Sequence, residues 1–150
     1  MRTIIIALAV AVLASGSAAA SDETDVMAVV HKWSDAFNKG DSKTGVATCT
    51  EHAVIIDDFP PHVWQGSGTC FKWFKDFGAF AAKSEITDSK VSLGKARHLN
   101  VESGYAYLVS PTTYTYNKSG KPTKDTGMVT MTLHKTDAGW RITGWAWADQ

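Results

Sequence analysis

From Glu85 to the C-terminus the sequence reads as strand after strand, and this constrains the fold more than any other feature. Residues 86–98 form one strand and residues 101–116 a long second one, with Pro111 as its potential break. Residues 117–122 (Asn-Lys-Ser-Gly-Lys-Pro) are a polar turn. Residues 126–135 alternate, with Val129, Met131 and Leu133 on one face. Asp137-Ala138-Gly139 is a tight hairpin turn, and residues 140–148 are the last strand. Long strands joined by short turns pair antiparallel, and a sheet with one apolar face needs a cover.

The N-terminal half supplies that cover. Val26, Val29, Val30, Trp33 and Phe37 recur at three- and four-residue spacing, one face of a helix. Asp22, Glu23 and Asp25 fall in its first turn, and Gly40 caps its end. Residues 41–49 read as a second short helix. Residues 53–57 are β-branched and apolar, a buried strand; Pro60-Pro61 turns the chain, and residues 62–65 return as a short partner. Ser67 or Thr69 is placed to cap a third helix, whose stripe of Cys70, Trp73, Phe74, Phe77, Phe80 and Ala81 is unusually aromatic. The expected fold is α+β: a cone-shaped, curved antiparallel sheet wrapped on three N-terminal helices.

Residues 1–20 have the order of an export signal: Arg2, an apolar run from Ile4 to Leu13, then Ala18-Ala19-Ala20. Residues 21–150 are then the expected single mature domain, periplasmic or secreted, without a membrane anchor. The chain carries 15 Lys+Arg against 15 Asp+Glu. Removing Arg2 leaves 14 against 15, so no basic footprint points to nucleic acid or anionic lipid. Cys49 and Cys70 bracket the predicted hairpin. An oxidising compartment makes a disulfide between them the expectation, with two buried thiols as the alternative. Neither stands in a CxxC motif.

Two segments carry a family resemblance. Ala28-Val29-Val30 through Phe37-Asn38-x-Gly40-Asp41, followed by Ala53-x-Ile55-x-Asp57, resembles the start of a bacterial ketosteroid isomerase without a gap. Leu133-x-Lys135-x-Asp137-x-Gly139-Trp140-Arg141-Ile142 resembles the ending common in the nuclear-transport-factor-two-like superfamily, which includes ketosteroid isomerases, scytalone dehydratases and SnoaL-like polyketide cyclases. The resemblance implies a pocket at the open end of the cone and puts Asp57 at the isomerases' catalytic base. A carboxylate at the edge of an apolar cavity loses hydration, which raises its pKa toward a useful general-base value. The other reading of Asp57 and Asp58 is as solvated residues opening the Pro60-Pro61 turn. Trp33 stands where the isomerases carry a hydrogen-bonding tyrosine, and Met131 near their protonated second acid. True steroid isomerase activity is therefore not expected.

Trp33, Phe37, Trp73, Phe77 and Met131 are the expected apolar walls of a site for a small apolar molecule, with no cofactor. The last strand leaves two arrangements open. If Trp140 and Ile142 face inward, unbroken alternation carries Trp145 and Trp147 to the outer face, where they would imply a homodimer through the sheets. A bulge at Gly144 would instead put both rings in the pocket. The histidines, 31, 52, 62, 98 and 134, form no HxxxH or HExxH pair, so no metal is signalled. His62, near Asp57 in the chain, and His98, on a long strand, read as surface or strand-end residues. The leading expectation is an exported small-molecule-binding domain that transfers a proton through Asp57. The rival is a non-catalytic ligand-binding or dimerisation module of the cell envelope.

Overall fold

The structure, a computed structural model, describes residues 15–150. The segment read as an export signal lies largely outside them. Three helices, α1 (Ser15–Lys39), α2 (Ser42–Ala47) and α3 (Thr69–Lys83), cover one face of a curved seven-stranded sheet. The strands are β1 (Cys49–Ile56), β2 (Val63–Trp64), β3 (Ile86–Leu93), β4 (His98–Glu102), β5 (Tyr105–Lys118), β6 (Lys121–Thr136) and β7 (Gly139–Asp149). Their order is β2-β1-β7-β6-β5-β3, with β4 also on β5. All neighbours are antiparallel except β1 and β7, which run parallel. Among the described residues no helix is long and apolar enough to cross a membrane.

Helix boundaries differ from expectation in physically legible ways. α1 begins at Ser15, so Asp22, Glu23 and Asp25 lie inside it rather than in its first turn. Asp22 instead forms an ion pair with Lys135 at 2.6 Å. Asp41 caps α2 by accepting from the Thr44 N–H. Neither Ser67 nor Thr69 caps α3; the cap is Gly68, in the left-handed region, and the Thr69 hydroxyl donates to the Gly66 carbonyl.

The expected strand over residues 86–98 is two strands. Near Gly94 the chain leaves β3, and the Gly94 N–H donates to the Pro111 carbonyl at 2.8 Å. β4 then pairs with the first part of β5 and β3 with the last, so Pro111 lies opposite the gap between them. There its missing N–H removes no ladder bond, and β5 runs through unbroken.

One end of the interior is aliphatic, with Val26, Val30, Ile55, Leu108, Leu133 and Ile142 almost wholly buried. Met131 lies in this core as well. The other end is aromatic. Asn38 fixes the end of α1 to β3: its side-chain amide donates to the Val91 carbonyl and accepts from the Val91 N–H. A Cys49–Cys70 disulfide joins the start of β1 to the start of α3.

The last strand carries a bulge. Thr132 faces Gly144 but Leu133 faces Ile142, so β7 holds one extra residue, Thr143. The alternation restarts after it, and Trp145 and Trp147 share the inner side with Trp140 and Ile142. Gly144 permits this, because a Cβ there would lie 2.7 Å from the Val54 carbonyl oxygen. Gly127 on β6, paired with Asp149, leaves room for the Trp147 ring.

Candidate functional site

The aromatic end opens into a cavity of about 310 Å³ between α1, α3 and the inner face of the sheet. Each helix contributes through its apolar stripe. Trp33 and Phe37, one turn apart on α1, stack with centroids 6.0 Å apart. Trp73 and Phe77 do the same on α3 at 5.4 Å. The bulge in β7 brings Trp145 against both groups, 5.5 Å from Trp33 and 4.9 Å from Trp73. Of the expected wall residues, Trp33, Phe37, Trp73 and Phe77 line the cavity. Met131 does not: it is fully buried in the core at the next inward position along β6, and Val129 lines the wall instead.

Asp57 follows the last residue of β1, where the chain turns toward the cis Pro60–Pro61 bond. Its carboxyl lies in the cavity wall and is held at both oxygens. The Trp73 indole N–H donates to Oδ2 at 2.8 Å, and the Asp58 backbone N–H donates to Oδ1 at 2.9 Å. Burial pushes its pKa up to about 7 despite those two bonds, which favour the charged form. A carboxyl poised there exchanges a proton readily near neutral pH. Asp58, beside it, is exposed.

The six tryptophans divide sharply by what their N–H groups meet. Those of Trp64, Trp73, Trp140 and Trp147 donate to Asp76, Asp57, Asp22 and Asp149. Those of Trp33 and Trp145 are buried and unpartnered, and both rings line the cavity. A buried donor without an acceptor costs about 1–3 kcal/mol.

The sheet side adds residues that the sequence reading passed over. Thr112, Tyr114 and Tyr116 alternate along β5 onto the cavity, and Asp125 pairs with Tyr114 on β6. The Tyr114 hydroxyl lies 2.8 Å from that of Ser89. Phe59, beyond Asp57, is buried against Trp64, Trp73 and Phe80. The signal for the β5 residues was their period of two in phase with Ala106 and Leu108; nothing in the sequence marked Phe59. Neither His62 nor His98 faces the cavity. His62 is exposed and its ring meets the Asp57 main-chain carbonyl, and His98 packs edge-on against Tyr107. Among the described residues no group of three or more His, Cys, Asp or Glu is placed to hold a metal.

Residues 26–146 match the SnoaL-like domain family. The chain belongs to that family. Solved structures agree on the fold. A nuclear transport factor 2-like protein with a cystatin-like fold from Novosphingobium aromaticivorans has 17% identity and a TM-score of 0.75, over 91% of this chain and 87% of that one. A nuclear transport factor 2-like superfamily protein from Salmonella enterica has 14% identity and a TM-score of 0.74, over 87% and 92%. A ketosteroid isomerase-like protein from Erwinia carotovora has 17% identity and a TM-score of 0.68, over 85% and 95%. No curated protein matches the sequence. At these identities the likeness speaks for the nuclear-transport-factor-two-like fold alone. The cavity of this SnoaL-like domain is walled by indoles, with the half-buried Asp57 carboxyl among them.

Proposed function

We propose that this SnoaL-like domain binds a small, largely apolar molecule in the aromatic cavity and transfers a proton on it with Asp57 as the base. The observation that carries this reading is the Asp57 carboxyl, held by Trp73 and Asp58 and brought by burial to a pKa of about 7. The unpartnered indoles of Trp33 and Trp145 support it, since an acceptor atom on the bound molecule would satisfy donors that the protein leaves open. The same two groups would steady negative charge developing on that atom as Asp57 removes a proton. Export, expected from residues 1–20, belongs to this reading, and the disulfide suits an oxidising compartment.

The test starts from the molecule that co-purifies from the native compartment, identified by native mass spectrometry. Its carbon-bound hydrogens should exchange with deuterium in D2O in the presence of the protein, followed by NMR. Asp57→Asn should abolish that exchange while leaving the fold intact. Undiminished exchange with the variant would eliminate Asp57 as the base.

A second reading, a binding or dimerisation module without catalysis, is favoured by the outer face. Val54, Ile56 and Val63 are 44%, 48% and 49% exposed, and Ile56 and Val63 are paired neighbours. We place a homodimer contact on this patch rather than on Trp145 and Trp147, which face inward. Sedimentation of wild type against Ile56→Lys reads it directly: a dimer that the substitution dissociates supports this contact, and a monomeric wild type removes it.

A further inference from the structure

The cavity is graded in charge as well as in burial. Its deep walls, Trp33 and Trp145, are neutral and buried. Its open end carries Asp58 from the turn after β1, Asp125 from β6 and Lys118 from the end of β5. With Asp57 this makes three carboxylates and one ammonium on the lining. Tyr114 and Tyr116 line the same cavity, stacked with centroids 4.7 Å apart. Both carboxylates act on these rings. Tyr116 is pushed up to about 12 by burial, by its hydrogen bond to Asp125 and by the nearby negative charges, Asp58 included. Tyr114 is raised by burial, with Asp125 and Asp58 adding to the effect.

Aromatic faces and carboxylates present the same sign of potential to a guest. A cation gains from both, an anion is repelled by both, and a neutral guest leaves the acidic charges uncompensated. The unpartnered donors of Trp33 and Trp145, deeper in, would be satisfied by an acceptor on a guest that reaches past this rim.

We propose that the open end of the cavity binds the positively charged nitrogen of an organic cation, between Asp58 and Asp125 and against the Tyr114–Tyr116 pair, while the apolar body of the same molecule fills the indole-lined interior. This rests on the cavity's being the binding site, and it adds the charge class of the ligand. Lys118, exposed at the same end, repels a cation, which leaves the side of Asp58 and Asp125 as the favourable place for the charged nitrogen.

The probes are benzyltrimethylammonium and its uncharged carbon isostere, neopentylbenzene, titrated calorimetrically into the intact protein. The cation should bind roughly tenfold more tightly, and the preference should shrink as salt rises. In the double variant Asp58→Asn, Asp125→Asn the preference should fall to about twofold or less, while the isostere binds as before, which shows that the cavity is still formed. Equal binding of the two probes to wild type overturns the inference, as does a preference that survives the double substitution or binding of neither probe. If the isostere alone binds, the cavity stands as an apolar site and only the charge assignment falls. Deuterium exchange with Asp57→Asn reports on the base separately.

Discussion

The Trp73 indole N–H donates to Asp57 Oδ2 at 2.8 Å, so the group that positions the carboxyl is itself part of the aromatic wall. That bond favours the ionised carboxylate against the burial that opposes it. Trp73→Phe keeps an aromatic ring beside Phe77 and removes the donor together with some ring area. The Asp57 pKa should then climb further above 7, by about one unit, in a carbon-13 NMR titration of the carboxyl. An unchanged or lower value would mean that the indole does not set the titration.

The same carboxyl should leave a mark on stability. Its folded pKa of about 7 lies above the ordinary value of 3.8, so the folded state binds the proton more tightly than the unfolded chain. The stability this confers is complete below the unfolded value and is lost as pH rises through the folded one. Asp57→Asn stays neutral throughout. Relative to wild type, the variant should therefore gain about 2–4 kcal/mol between pH 4 and pH 8 in chemical denaturation. A pH-independent difference would place the carboxyl in water.

Trp33→Phe and Trp145→Phe remove unpartnered N–H groups and little volume. Each should cost less than about 1 kcal/mol of stability, because a desolvated donor is lost together with some ring area. Affinity for a bound acceptor-bearing molecule should fall severalfold, on the order of 1 kcal/mol per donor. Calorimetry on the co-purified molecule checks this, and unaltered affinity in both variants would show that neither indole meets the ligand.

The Cys49–Cys70 bond closes a loop of sequence separation 21 and ties β1, which leads into Asp57, to α3, which carries Trp73. Cys49→Ala with Cys70→Ala should lower stability by about 3 kcal/mol through the larger freedom of the unfolded chain. Urea denaturation under oxidising conditions measures it, with reduced wild type expected to approach the double variant.

Much of this site was legible in the residues because two periodicities converge on it. The stripes Val26–Val30–Trp33–Phe37 and Trp73–Phe77–Phe80 name the helix faces that must be buried, and a β-branched run ending at Asp57 places a carboxyl at their edge. Met131 was misplaced because alternation gives a side, not a depth. It faces inward like Val129 but is fully buried in the core behind the lining. The break at Gly94 was hidden because both β3 and β4 have strand character, and only a shared partner, β5, shows that they are separate. Trp145 and Trp147 were undecided because a bulge depends on contacts across the sheet, here Gly144 against Val54, that no local pattern encodes.

That bulge yields the last prediction, and a control for it lies on α3. An added Cβ at Gly144 would meet the Val54 carbonyl oxygen at 2.7 Å, and backbone in a paired strand cannot yield as a flexible side chain does. At Gly78, on the exposed side of α3, a Cβ would meet nothing within 4 Å. Gly78→Ala should stabilise the protein by about 0.5–1 kcal/mol through helix propensity. Gly144→Ala should destabilise it by about 1–3 kcal/mol and shift tryptophan emission to the red, as the β1–β7 pairing that holds Trp145 and Trp147 inward is strained apart. Denaturant titration followed by fluorescence reads both quantities at once. Equal effects from the two substitutions would mean that the close approach at Gly144 is not what keeps the indoles in the cavity.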